Sequence, residues 1–369
     1  MNFDFSEDQV SLRDAVQRWV EKGFSFDRRH ALAKAGGATR EVYAELAELG
    51  LAGLAVPEAH GGMNFGPVEA MVVMEELGRG LVNAPFTEAA LVAPALLAGA
   101  PEAVQAAWLP RMAEGSALVV PALQERRGRY RLEATDTTAS AAGDGFTVSG
   151  SKSLVPAGDE ADAFIVSARH GNGTGLFLVE KAAAQVRGYP TQDGARAAEV
   201  SFSDAPALLV AQDGLPALSH ATDVGIAAVC AEAVGLMDRL LAITVEYMNQ
   251  RKQFGVTIAS FQALRHRVAD VKMQVELGRS MSYFATLKLG EPQEQRRRAL
   301  SQAKVQLGHS MRYVGQQCVQ LHGGIGVTDE YVASHYFKRL TMLEMAWGDT
   351  LHHLGEVSAR MQDTAGVFA

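Results

Sequence analysis

The chain has 369 residues, 48% hydrophobic and 21% charged, with 36 glycines, 12 prolines and two cysteines. That length supports two or three domains with sizeable cores, and the balance of apolar and charged residues excludes wholesale disorder. A formal net charge of −8 at pH 7 argues against a general affinity for nucleic acid or an anionic membrane surface. The longest apolar stretch, Ala89 to Ala100, is interrupted by Pro94 and falls short of the ~20 residues that a membrane span needs. No basic segment followed by an apolar one opens the sequence, and Cys230 and Cys318 lack metal-ligand spacing. The expectation is a cytoplasmic, reduced, multi-domain protein without a metal site.

Helical periodicity dominates from Ser6 to about Gly115. Ser6 and Gln9 have capping-box spacing, Glu7 and Asp8 suit the positive end of a helix, and Phe5 with Val10 could form a hydrophobic staple. Leu12, Val16, Trp19 and Val20 mark one buried stripe, and Pro57 with Gly61-Gly62 punctuates a loop before a second helical run, Val68 to Gly78. From about Ala117 to Val210 the texture changes to short apolar runs separated by turn signals: Gly143-Asp144-Gly145, Gly171-Asn172-Gly173 and Asp193-Gly194. Such runs, with no helical pattern between them, predict an antiparallel barrel or sandwich. The glycines at 171, 173 and 175 read as a hairpin turn rather than a dinucleotide fingerprint, because no helix follows.

Helical periodicity returns from about Leu218. Phe261, Leu264, Val268, Val271 and Val275 form one narrow stripe; Leu300, Ala303, Leu307, Met311, Val314, Cys318 and Leu321 form another. Both suit long helices packed side by side, with Cys318 a small core residue. The architecture expected is α+β and multi-domain: a helical domain over residues 1–116, a middle antiparallel β domain over 117–215 and a helical bundle over 216–369.

Two segments in the last part could carry chemistry. In Arg251-Lys252-Gln253-Phe254-Gly255, a helix from about Val224 ends, Gly255 can take a left-handed cap, and Ser260 can start the next helix. The loop gathers a forked cation suited to a pyrophosphate with apolar surface suited to a large planar cofactor; a solvated helix end with a core Phe is the plainer reading. In Gln320-Leu321-His322-Gly323-Gly324-Ile325-Gly326, three glycines in four positions exceed what a helix stop requires. Glycine lets a backbone approach a ligand closely and leaves its amides free to donate. His322 reads as a ligand or base, or more plainly as a residue complementing the helix end or a core residue.

These two segments, about 70 residues apart within an α–β–α pattern, resemble the acyl-CoA dehydrogenase family of flavoenzymes over essentially the whole chain. The similarity is greatest to the small-subunit type of pimeloyl-CoA dehydrogenase, through Arg187 to Gly194, Ala231-Glu232-Ala233-Val234-Gly235, Gln316-Gln317 and Tyr336 to Met342. The resemblance implies a C-terminal four-helix bundle and FAD-dependent α,β-dehydrogenation of an acyl-CoA thioester. A carboxylate would remove the proton α to the carbonyl, and the β-hydrogen would leave as hydride to the flavin. It further implies that Arg251, Gln253, Phe254, Ile258, Phe261 and Gln262 contact the FAD of a neighbouring subunit. Gln320, Gly323 and Gly324 would meet its pyrophosphate-to-adenine half, so that corner and bend embrace one dinucleotide at a subunit boundary. The assembly would be a homo- or hetero-oligomer, usually a dimer of dimers, with an electron-transfer flavoprotein as redox partner.

The sequence departs from the family where the base belongs. Trp347-Gly348-Asp349 stands in place of the usual Glu-Gly-Thr, and Gly225-Ile226 replaces a second Glu-Arg location. Gln124-Glu125-Arg126 and Leu154-Val155-Pro156 replace the segments that line the flavin ring, and Arg126, Arg127, Arg129 and Arg131 could meet CoA phosphates or form a solvated loop. Glu232 and Asp349 are the candidate substitute bases; their plainer readings are a partnered structural carboxylate and a helix cap. Three readings follow: a dehydrogenase whose base is one of these carboxylates or comes from another polypeptide; a non-catalytic subunit of a dehydrogenase complex; or a flavin-dependent oxidase on the same fold.

Overall fold

The computed structural model describes residues 4–37, 39–134, 136–143 and 145–365; the first three residues and Asp144, centre of one expected turn, lie outside them. Six helices come first: α1 (Glu7–Gly23), α2 (Phe26–Lys34), α3 (Arg40–Glu48), α4 (Pro67–Arg79), α5 (Ala93–Leu97) and α6 (Glu102–Ala113). Seven strands follow: β1 (Val119–Ala122), β2 (Thr138–Ala142), β3 (Gly145–Pro156), β4 (Ala163–His170), β5 (Gly173–Glu180), β6 (Ala184–Pro190) and β7 (Arg196–Ala211). The remainder is α7 (Leu215–Gln250), a hairpin of β8 (Lys252–Gln253) and β9 (Val256–Thr257), then α8 (Gln262–Lys288), α9 (Gln293–His322), α10 (Val332–Met345) and α11 (Thr350–Ala365). No helix among the described residues is long and apolar enough to cross a membrane.

Packing groups these elements into two compact units, one of Met1–Arg28, Pro67–Val82 and Ile226–Ala369, the other of Arg29–Gly66 and Asn83–Gly225. Within the first unit α1 packs on α4, and α4 packs on α8.

In the second unit the strands close on themselves. β4 pairs with β5, β5 with β7, β7 with β3 and β3 with β2, and β2 returns to β4 through Thr138 and Arg169. β1 extends the sheet beside β4 and β6 extends it beside β7. The structure therefore selects a barrel over a sandwich, and it is not wholly antiparallel: β1–β4 and β2–β4 run parallel. The long excursion through β2 and β3 gives the chain room for a parallel return to β1. Ala163 to Ala168 of β4 are buried without alternation, as a strand covered on both faces should be.

In the first unit, α1 begins with the expected capping box: Gln9 N donates to Ser6 Oγ at 3.2 Å and Ser6 N to Gln9 Oε1 at 3.0 Å. The staple does not form, since Val10 is exposed and Phe5 packs edge-on against Tyr283. Leu300, Ala303, Leu307, Met311, Val314, Cys318 and Leu321 are all buried along α9. Burial pushes the Cys318 thiol up to about 11, which keeps it protonated and consistent with a core role. Gly78 and Gly235 let α4 and α7 cross closely; a Cβ on either would strike main-chain atoms of the other helix.

Candidate functional site

The arginine corner folds as a small hairpin. α7 stops at Gln250, Arg251 N donates to the Tyr247 carbonyl at 2.8 Å, and Ile258 N donates back to the Arg251 carbonyl at 2.8 Å. Phe254 and Gly255 at its tip have φ of 54° and 81°, the pair of positive values that a two-residue hairpin turn requires. Gly255 thus turns a hairpin instead of capping α7. Ser260 does not start α8 either: its hydroxyl donates to the Thr257 carbonyl at 2.7 Å, and Phe261 is the residue before the helix. Arg251, Gln253 and Gln262 are exposed, and no carboxylate pairs with Arg251 among the described residues. Phe254 is 91% exposed, while Ile258 is buried with Met248 and Leu321, and Phe261 packs against that cluster. An aromatic ring so exposed on a left-handed backbone is costly to keep for the isolated chain.

The glycine bend lies at the end of α9. Gly323 has φ 64° and ψ −143°, a conformation essentially reserved for glycine. A Cβ on Gly326 would lie 2.7 Å from the Val319 carbonyl oxygen, so packing demands that glycine. Gly324 is different: its backbone is ordinary and nothing lies within 4 Å of the Cβ it lacks. Neither strain nor packing explains Gly324, whereas close approach by a ligand does. Gln320 is exposed one turn earlier.

His322 joins the two segments. Its Nδ1 lies 2.8 Å from the Cys318 carbonyl oxygen, which can only accept, so Nδ1 carries the ring proton. Burial lowers its pKa, against the raising influence of that carbonyl, and the ring is neutral near pH 7. Its centroid is 4.7 Å from that of Tyr247 and 5.1 Å from that of Tyr331. Tyr247 in turn holds the Arg251 amide, and Leu321 packs with Ile258, so corner and bend are neighbours within one chain. His322 is only 3% exposed, and its Nε2 has no hydrogen-bond partner among the described residues. Leaving such an acceptor unsatisfied costs about 1–3 kcal/mol. An uncompensated cation, an exposed ring, an open glycine backbone and an unsatisfied buried acceptor fit a dinucleotide cofactor such as FAD.

The two candidate bases lie elsewhere in the same unit. Arg339 grips Glu232 with two bonds, Nε to Oε1 at 2.6 Å and Nη2 to Oε2 at 3.0 Å. Glu232 is buried beside α4, where the Gly78 crossing covers its backbone. Asp349 precedes α11, and its Oδ1 accepts from His352 N at 2.8 Å, the geometry of an N-cap. Glu232 is thus ion-paired with Arg339, and Asp349 caps α11.

Trp347 sits in a bend whose φ values, 57° at Trp347 and 110° at Gly348, are left-handed. Two fully buried residues that sequence reasoning passed over hold it. Lys304 Nζ donates to the carbonyls of Leu343, Glu344 and Gly348 at 3.1, 2.7 and 2.7 Å. His353 Nε2 lies 2.9 Å from the Trp347 carbonyl oxygen and its Nδ1 3.2 Å from Ser301 Oγ. Burial lowers Lys304 to about 8; burial and the nearby Lys304 charge lower His353 to about 3. A readable signal existed for Lys304, because it falls on the stripe of Leu300, Leu307 and Met311.

In the barrel unit, the segment Gln124-Glu125-Arg126, which replaces one of the family's ring-lining segments, is bonded to the residues just before Leu154, where the other replacement begins. Ser153 N donates to the Gln124 carbonyl at 2.9 Å, and buried Lys152 Nζ donates to Glu125 Oε1 at 2.9 Å. Glu125 also accepts the amides of Asp136 and Thr137 at 2.8 and 3.0 Å. Leu154 is carried out on a β-bulge at φ 52° and is half-exposed. Of the arginines nearby, Arg126 pairs with Glu199 at 3.3 Å, and Glu199 accepts from the Tyr189 hydroxyl at 3.2 Å.

Comparison with known proteins agrees with this architecture. Residues 6–116 match the family description "Acyl-CoA dehydrogenase, N-terminal domain" and residues 212–362 match "Acyl-CoA dehydrogenase, C-terminal domain". Acyl-CoA dehydrogenase IpdE2 of Mycolicibacterium smegmatis is 30% identical over 90% of this chain and 92% of its own length. Among solved structures, a variant of the Tcur3481-Tcur3483 steroid ACAD is 28% identical with a TM-score of 0.89, covering 98% of this chain and 99% of that one. The ChsE4-ChsE5 complex from Mycobacterium tuberculosis is 25% identical with a TM-score of 0.88, covering 99% of this chain and all of the other. The matches define a flavoprotein oxidoreductase acting on CH–CH bonds. More particularly, the chain belongs to the acyl-CoA dehydrogenase family.

Proposed function

We propose that this chain takes part in FAD-dependent α,β-dehydrogenation of an acyl-CoA as one subunit of a heteromer whose catalytic carboxylate belongs to another polypeptide. The observation that carries this reading is a contrast within one unit. The corner of Arg251 and the bend of Gly323-Gly324 are assembled and open. Glu232 and Asp349, by contrast, are committed to Arg339 and to the α11 cap. When bound, FAD would accept the β-hydrogen of the acyl group as hydride. This chain's part is to hold it: Arg251 and the amides of Gly323 and Gly324 toward the pyrophosphate, Gln320 toward the adenine side. Phe254, Gln253 and Gln262 supply the surrounding surface, with Phe261 and the buried Ile258 supporting it from beneath.

Assembly is supported by the surface of the helical unit. An apolar cleft of about 440 Å³ lies between α8, α9 and α11, lined by Met281, Phe284, Val305, Leu354 and Val357. Exposed Met273, Leu277 and Leu351 stand on α8 and α11. The ChsE4-ChsE5 relative is, as its name says, a complex. A kinship with the small-subunit type of pimeloyl-CoA dehydrogenase, an electron-transfer flavoprotein as redox partner and a dimer of dimers belong to the same proposal. The test is to purify the chain alone and together with a co-expressed family member that carries an intact base. Flavin bleaching by acyl-CoA is expected only for the pair; rapid bleaching by the chain alone overturns the heteromeric reading.

A further inference from the structure

Among the described residues, the Nε2 atom of His322 is a buried acceptor without a hydrogen-bond partner. A histidine closing a helix ordinarily carries charge, because the carbonyl end of the helix favours a cation. Here the ring is instead neutral, its proton is fixed on Nδ1 by the Cys318 carbonyl, and Nε2 is left as a bare acceptor. The rings of Tyr247 and Tyr331 shut water away from it, and no described residue supplies a donor. The position is equally specific. His322 is adjacent to Gly323 and Gly324, whose missing side chains face open space, and it touches the tyrosine that anchors the Arg251 amide. A neutral acceptor placed between a forked cation and an open glycine backbone is matched to a ligand that brings an anion and a hydrogen-bond donor together.

Resting on the dinucleotide reading above, we propose that His322 is a positioning residue for the adenosine half of the cofactor. Its Nε2 accepts a hydrogen bond from an N–H or O–H of that half, either the exocyclic amine of adenine or a ribose hydroxyl. Because Nε2 has no surface of its own, the donor enters as a ring turns aside. We assign that movement to Tyr331, which lies before α10 on extended backbone, whereas Tyr247 lies within α7. The apo chain thus carries an unsatisfied acceptor that ligand binding satisfies.

The experiment measures FAD and ADP affinity, and the melting temperature without ligand, for the unaltered chain and for His322→Phe. The Phe variant keeps a ring between the tyrosines and removes both nitrogens. The expected result is a loss of affinity for FAD and ADP of about fivefold to tenfold, with no fall in the ligand-free melting temperature. Unchanged ADP affinity overturns the assignment. Should the variant fail to fold, the nitrogen-15 resonance of Nε2 in the unaltered protein decides the matter. A shift on adding ADP supports the proposal, and its absence overturns it. Inosine diphosphate, which lacks the amine, and 2′-deoxy-ADP, which lacks one hydroxyl, tell the two donors apart. If neither the unaltered chain nor its complex with the co-expressed family member binds FAD or ADP, the dinucleotide reading falls and takes the assignment with it; binding indifferent to His322 removes the assignment alone.

Discussion

The guanidinium of Arg339 meets both carboxylate oxygens of Glu232, 107 residues away in sequence, at 2.6 and 3.0 Å. Both residues lie in segments that carry the family resemblance. Breaking a buried pair by removing one charge costs about 3–5 kcal/mol. Glu232→Gln should therefore lower stability to denaturant by an amount on that scale. In the assembled enzyme the rate of flavin reduction by acyl-CoA should change by less than about threefold, whereas loss of a true base costs roughly 10²–10⁴-fold. A stopped-flow rate that collapses while stability holds would return Glu232 to candidacy.

Asp349 is open to a finer test, because asparagine caps helices as well as aspartate does. Asp349→Asn should leave melting and flavin reduction near unaltered values, while Asp349→Ala should lose about 1 kcal/mol of stability. A base would respond to both substitutions alike, since neither Asn nor Ala accepts a proton.

His353 should make the fold sensitive to acid. Its pKa is lowered to about 3 in the folded protein, against an ordinary value of 6.5, by burial and by the Lys304 charge. Between those values the unfolded chain holds the extra proton, so the contribution is complete above about pH 6.5 and is lost as pH falls toward 3. Urea midpoints from pH 7 to pH 4 should fall less steeply for His353→Asn, by up to about 1.4 kcal/mol per pH unit. Parallel curves would show that the ring is not held neutral.

Gly324→Ala separates fold from ligand. Space is open around the new methyl group and the backbone is unstrained, so the ligand-free melting temperature should hold or rise slightly. FAD affinity, measured by fluorescence titration, should weaken tenfold or more, about 1.4 kcal/mol. Gly323→Ala should instead lower both, because φ of 64° with ψ of −143° penalises any side chain.

Local signals are legible in the sequence and long-range ones are not. The Ser6–Gln9 capping box and the α9 stripe depend on spacing within one helix, and the structure contains both. The helix expected from about Val224 begins instead at Leu215, because proline, here Pro216, is tolerated in the first helical turn. Gly255 reads as a cap because one left-handed residue after a helix is the common case; the positive φ of Phe254 beside it makes a hairpin, which residue type alone does not announce. For Glu232, its own neighbours show that it is buried but not that Arg339 arrives from another helix. The aromatic trio around His322 is hidden for the same reason, since Tyr247, His322 and Tyr331 come from three separate places in the chain.

The bend at Trp347 has one more consequence. Within it, Lys304 and His353 bond main-chain oxygens, those of residues 343, 344, 347 and 348, so the turn is held by groups that every amino acid possesses. The scaffold therefore constrains residue 347 through its left-handed backbone, which disfavours β-branched side chains, and not through bonds to a particular side chain. A lineage with this backbone could exchange the group displayed there in a few nucleotide changes, gaining or shedding reactivity while the helices around it stayed as they were.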